Sequence, residues 1–163
     1  MRNNFVNTEK KYLPELVYGG IDGAITTFAV VSGSIGASLS PAIILILGFA
    51  NLFADGFSMA SANYLSSKSR IELNKKQKIS PIKSGAAIFF SFLIVGFVPL
   101  ISFILASFNN SLVPHQFTIS IVLTALAFFV VGLFKGEVTG KHPIKSALET
   151  LFIGGIAAIL AFV

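Results

Sequence analysis

The sequence predicts an all-α integral membrane protein with five transmembrane helices. Two features of composition carry that expectation: 54% of the 163 residues are hydrophobic and only 12% are charged. Soluble domains carry about 25% charged residues, so lipid is the natural solvent for this chain. The third observation is the length of the apolar stretches. At about 1.5 Å rise per residue they cross a hydrocarbon core of about 30 Å, and they fall at about 16–39, 41–65, 84–107, 117–134 and 144–163. So little lies outside them that residues 1–163 read as a single transmembrane domain. Asp22 inside the first stretch argues against a removable signal peptide, whose apolar region would not hold a carboxylate.

Each segment has its own reason. Residues 1–15 mix Phe5, Val6, Tyr12 and Leu13 with Lys10, Lys11 and acidic neighbours, the pattern of an interfacial helix leading into the bilayer. In span one, the Gly19–Gly23 spacing lets another helix approach closely. Ser38, Ser40 and Pro41 make a short outer turn, with Pro41 suited to open the next helix, so spans one and two form an antiparallel hairpin. A short polar connection, 66–83, sets Lys75, Lys76 and Lys78 beside anionic headgroups. Pro99 removes a helical hydrogen bond and predicts a kink in span three. Spans four and five, built of aliphatic, aromatic and small residues, read as scaffold.

The net charge of +5 does not indicate a nucleic-acid partner, because the basic residues flank the spans instead of forming one folded face. It encodes topology. The twelve Lys and Arg lie before span one, between spans two and three, and between spans four and five. The positive-inside rule thus predicts a cytoplasmic N-terminus and an external C-terminus. The short single-domain form suggests a prokaryotic plasma membrane, with a vacuolar membrane as the alternative. The absence of Cys excludes disulfides and thiolate metal sites.

Two residues are costly where they stand. An Asp near the centre of a spanning helix costs roughly 2.5–3.5 kcal/mol on insertion scales, and Asp22 and Asp55 both lie deep, while the other acidic residues sit near span ends, where water or a Lys can solvate them. Asn51, Asp55, Met59 and Asn63 recur at i, i+4 spacing and draw a polar stripe, with one sulfur, down span two. Asp22, Asp55 and Met59 lie roughly 16, 20 and 14 Å from the basic anchors Lys11 and Lys68, so the hairpin can bring them to similar depth. Carboxylate oxygen plus thioether sulfur suits weak, reversible coordination of a transition-metal ion. Thr26 and Thr27 serve either to bond backbone loosened by the glycines or to orient Asp22, and Gly23 supports the same stretch. His115 and His142 fall on opposite sides of the membrane and cannot share a site.

The segments YGGIDGAITTFAVVSG at 18–33 and GFANLFADGFSMASANYLSSK at 48–68 resemble the vacuolar iron transporter family, which includes nodulin-21-like proteins. The resemblance is strongest over 14–70 and continues more loosely through Pro81, the kinked third span and Gly154–Gly155. It implies a five-helix protomer, a homodimer with the path at its interface, and export of iron(II), sometimes manganese(II), from the cytosol in exchange for protons. The family's pathway Asp and Met correspond to Asp22 and Met59. The metal is then cargo, and no permanently bound cofactor is expected; the partners are a second copy, the lipid bilayer, divalent metal ions and protons. Many eukaryotic members insert a Glu-rich cytoplasmic metal-binding domain between spans two and three, where this chain has a short basic segment with Glu72 alone. Some plant members of that family place a Glu near the position of Asn51. Two other readings fit parts of the pattern: a membrane scaffold whose aspartates only pack, and an intramembrane aspartyl protease, which the absence of a GxGD motif and the short loops disfavour.

Overall fold

A computed structural model describes the backbone of residues 2–74 and 79–162 and the side chains of 11–74 and 79–160. Among the described residues the chain is helical throughout, without strands: α1 (Arg2–Gly36), α2 (Pro41–Leu73), α3 (Pro81–Gly96), α4 (Val98–Phe108), a 3₁₀ turn (Asn110–His115), α5 (Gln116–Thr139) and α6 (Pro143–Phe162). Four helical segments, Lys11–Gly36, Pro41–Leu73, Asn110–Thr139 and Pro143–Leu160, are each long and apolar enough to cross a membrane, and α3 with α4 makes a fifth span bent by 41°. The all-α, multi-pass expectation therefore holds.

The bend belongs to Pro99, as its chemistry predicts. Pro99 stands in the first turn of α4, and the helix is interrupted just before it, at Phe97, because a proline ring crowds the carbonyl of the preceding turn and offers no N–H. The Pro99 carbonyl ties the bend to α5, accepting from the Ser120 hydroxyl at 2.8 Å. The α1–α2 turn closes in a Schellman arrangement: Leu39 N–H donates to Ser34 O at 3.0 Å and Ser38 N–H to Ile35 O at 2.8 Å, with Ser38 left-handed at φ 57°. Ser40 and Pro41 then start α2. Gly140, at φ 70°, closes α5 in the same way.

Two boundaries differ from the sequence expectation. The connection expected over 66–83 is helical as far as Leu73; Ser66 to Leu73 is polar, but Lys, Arg, Glu and Leu are good helix formers, so the helix outlasts the apolar stretch. The interfacial segment before span one is not a separate element, since α1 runs unbroken through Pro14. A proline inside a helix forfeits one backbone bond and kinks it without having to end it. The side chains of Phe5, Val6 and Lys10 and the residues Lys75, Lys76 and Lys78 lie outside the described set.

α1 is the central helix and packs against α2, α3, α5 and α6, most extensively against α3. Small residues make that approach close. A Cβ on Gly19 would lie 2.6 Å from Ile88 O, and one on Gly23 would lie 2.5 Å from Phe92 O. The close-packing role expected for this spacing is thus filled by α3 of the same protomer, and of the span-one glycines only Gly33 and Gly36 have no neighbour within 4 Å.

Candidate functional site

The hairpin aligns the two polar faces in antiparallel register. Asn51 Nδ2 reaches Thr26 Oγ1 at 3.5 Å, a long contact at the limit of a hydrogen bond. One turn further toward the basic end of both helices, Asp22 and Asp55 each stand four residues from that contact, so the antiparallel register sets them at a common level. Asn51, Asp55, Met59, Asn63, Thr26 and Asp22 are all half-buried. The structure therefore brings together Asp22, Asp55, Asn51 and Thr26.

The two Asp-Gly pairs have a common logic. Gly56, following Asp55, faces the Phe92 ring, whose Cδ1 lies 3.2 Å from where a Cβ would stand, while Gly23, following Asp22, meets the Phe92 backbone. Phe92 is fully buried. Successive helical residues point about 100° apart, so a glycine pressed against α3 turns the preceding aspartate off that interface and onto the α1–α2 seam. Gly23 supports the site by this packing and does not line it.

One expectation is corrected, and the surroundings of Met59 are defined. Thr27 is fully buried and its hydroxyl has no hydrogen-bond partner among the described residues, so it neither orients Asp22 nor lines the seam; it stands about 100° round α1 from Thr26, the residue that faces α2. Met59 packs at the edge of the apolar cluster of Val31, Ile44, Leu52, Phe92, Leu100 and Phe103. It is only half-buried there, so part of the residue stays open at the surface of the protomer.

Glu15 is the residue that sequence reasoning missed. Its place at a span end predicts a carboxylate solvated by water or lysine, yet its Oε1 accepts from the buried Ser84 hydroxyl at 2.6 Å, and its Oε2 is buried with no partner among the described residues. Asn63 Oδ1 lies 2.6 Å from the same hydroxyl, and Ser67 Oγ lies 3.4 Å from it. Ser84 has one proton to offer two acceptors. A four-residue oxygen cluster with acceptor capacity to spare thus closes the basic end of the seam, about two helical turns, or roughly 11 Å, from Asp22 and Asp55. The signal available in the sequence was Asn63, which continues the stripe; its α3 partner was not legible.

His115 and His142 are exposed at opposite ends of the bundle, as expected. Among the described residues no three His, Asp or Glu side chains gather into one group. A single hairpin therefore offers two carboxylates flanked by neutral oxygens, a set that holds a divalent ion only weakly.

The sequence pattern of the VIT family matches residues 13–78 and 70–163. Proteins named vacuolar iron transporter are similar along almost the whole chain. The one from Plasmodium berghei is 26% identical, covering 94% of this chain and 81% of its own length; that of Toxoplasma gondii is 26% identical, covering 99% and 76%. Vacuolar iron transporter 1 of Arabidopsis thaliana is 26% identical, covering 96% and 88%. The Plasmodium berghei alignment runs over 221 positions, more than the 163 residues of this chain, so that relative carries residues with no counterpart here. The two matched segments of the family pattern meet at the α2–α3 connection. A multi-pass helical bundle with paired carboxylates on the seam of its first hairpin, matched by the family pattern nearly from end to end, places this chain in the VIT family, a family of metal transporters and not of enzymes.

Proposed function

We propose that the protein exports a divalent transition metal, iron(II) with manganese(II) as a second cargo, from the cytosol in exchange for protons. The observation that carries this reading is the Asn51–Thr26 contact across the α1–α2 seam, whose antiparallel register sets Asp22 and Asp55 one turn away at a common level, at a depth where an unpaired carboxylate is expensive. A carboxylate must be deprotonated to hold a metal ion, so metal and proton exclude each other there, and that exclusion is the minimum a coupled exchanger requires. Glu15, Asn63 and Ser84 form the cytoplasmic approach, where the spare carboxylate oxygen replaces water lost by an arriving ion. The test is iron(II) flux in proteoliposomes under an imposed pH gradient. Flux that ignores the gradient, or is absent, overturns the proposal.

A homodimer follows from the same exposure. Half-buried Asp22, Asp55 and Asn51 at membrane depth call for a cover other than lipid, and a second copy on a two-fold axis presents every donor twice. In that assembly Met59 of both protomers borders the shared path. Met59→Leu, which keeps volume and removes the sulfur, is expected to slow iron(II) transport several-fold more than manganese(II) transport, because thioether coordination favours the softer ion. Equal losses for both metals in a competition assay would leave Met59 a packing residue.

The orientation consistent with the flanking charges puts the N-terminus in the cytosol of a prokaryotic cell and the C-terminus outside. Single cysteines report on it cleanly, since the chain has none. An impermeant maleimide added to intact cells should modify Asn110→Cys and spare Lys141→Cys, both positions being exposed at opposite ends of α5. The reverse pattern would invert the topology.

A further inference from the structure

Asp22 faces more than the seam. It also lines an open groove of about 420 Å³ between α1 and the end of α5, whose wall is Leu13, Pro14, Val17, Tyr18 and Ile21 on one side and Lys135 and Thr139 on the other. Lys135 is the one cation in that wall, and its ammonium is paired with Glu149 of α6 at 3.2 Å. The lysine side chain is mostly covered, at 28% exposure, whereas Glu149 is 55% exposed. One charge thus has an exposed carboxylate partner at the rim and a buried-side carboxylate further along the same groove.

The register of the two helices brings the second partner within range. Gly20 and Val131 meet across the α1–α5 contact, 3.6 Å separating the Val131 methyl from the position of a Gly20 Cβ. Asp22 lies two residues to one side of that level and Lys135 four residues to the other, an axial separation of about 9 Å. Helical side chains tilt toward the N-terminus of their own helix. Because α1 and α5 run antiparallel, Asp22 tilts toward the basic end of the bundle and Lys135 toward its middle, so the two tilt toward each other. Swung from Glu149 along the groove that Val17 and Ile21 also line, the four-carbon stem of lysine would span most of the remainder.

We propose that Lys135 is an internal cation that exchanges between Glu149 and Asp22, taking the place of the metal on Asp22 when the metal has left. This rests on the reading of Asp22 as the cargo carboxylate. Lys135 then acts as a positioning residue. With metal bound, the ammonium is held at Glu149 and its charge is kept off the path; with the path empty, it moves along the groove and neutralises an aspartate that would otherwise stand beside Asp55 with no compensating charge. The other polar groups on this route are Tyr18, which lines the groove, and Thr139, whose hydroxyl is engaged with the Lys135 carbonyl at 2.7 Å. Neither competes for the ammonium as a charge.

The exchange makes opposite-signed predictions for its two ends. Binding of manganese(II), a redox-stable probe, is measured by calorimetry on the purified full chain. Lys135→Met removes the internal competitor and should tighten binding about five- to tenfold; Lys135→Gln, which keeps a polar head in the groove, should do the same. Glu149→Gln removes the rim partner and should weaken binding by a similar factor, and the Lys135→Met/Glu149→Gln double variant should bind like Lys135→Met alone. If Lys135 only anchors the helix end or an anionic headgroup, the variants at 135 and 149 move together or not at all, and the proposal falls. The control separates this failure from a deeper one: wild-type affinity in Asp22→Asn removes the cargo reading itself, whereas lost binding in Asp22→Asn with no opposition between Lys135→Met and Glu149→Gln removes only the exchange.

Discussion

Asp22→Asn is expected to reduce metal flux to the level of empty liposomes while leaving a protein that inserts and folds at least as well as the parent. The two halves of that result come from the same physics. Asparagine keeps the size of aspartate and one of its acceptor oxygens, but it can neither neutralise a dication nor exchange a proton for it. It also removes an intramembrane charge, and on insertion scales an aspartate at this depth costs roughly 2.5–3.5 kcal/mol. A residue kept for packing would show the opposite signature, reduced stability with proportionate loss of flux. Flux under a pH gradient, measured beside the thermal unfolding of the detergent-purified variant, separates the two: transport at the parental rate with intact proton coupling would dismiss Asp22 as the exchanging group.

The carboxylates could be found in the sequence because their cost is a property of position along an apolar stretch, and an isolated Asp there is conspicuous before any tertiary structure is known. The bend at Pro99 was legible for a similar reason, since a proline's missing N–H is a local fact. The end of α2 was not, because hydropathy marks where lipid stops and not where the helix does, and the residues up to Leu73 are helix formers. Glu15 escaped because its meaning depends on Ser84, which α3 delivers from far along the chain. Near a span end, a glutamate bound by water and one held by a buried hydroxyl look identical in sequence. The glycines of α1 announced a close approach without saying whose. Their spacing fits a second copy as well as another helix of the same protomer, and only the packing of Ile88 and Phe92 on them decides for α3.

That packing gives the other large effect. Gly23→Ala adds one methyl group at a point 2.5 Å from the Phe92 carbonyl oxygen and 3.0 Å from its Cα. A clash with the far end of a side chain can be relieved by a rotamer change, but backbone atoms inside a helix give way only if α1 and α3 separate. The same residue is met a second time, since a Cβ on Gly96 would lie 2.8 Å from the Gly23 carbonyl oxygen, so Gly23 is hemmed by α3 backbone on two sides. Overpacking of this kind costs about 1–3 kcal/mol, and the rigidity of both partners places Gly23→Ala near the upper end, against a gain in helix propensity of only about 1 kcal/mol. Gly33→Ala is the matched control: it has the same chemistry on the same helix, with no neighbour within 4 Å, and is expected to be neutral or slightly stabilising. Function should suffer beyond the stability loss, because Phe92 also packs on Gly56; displacing α3 shifts α2 and pulls Asp55 out of register with Asp22. Unfolding of the two variants in detergent, followed by flux at a temperature where both remain folded, measures the two effects separately. If Gly23→Ala matches Gly33→Ala in both, the α1–α3 contact does not hold the carboxylates in place.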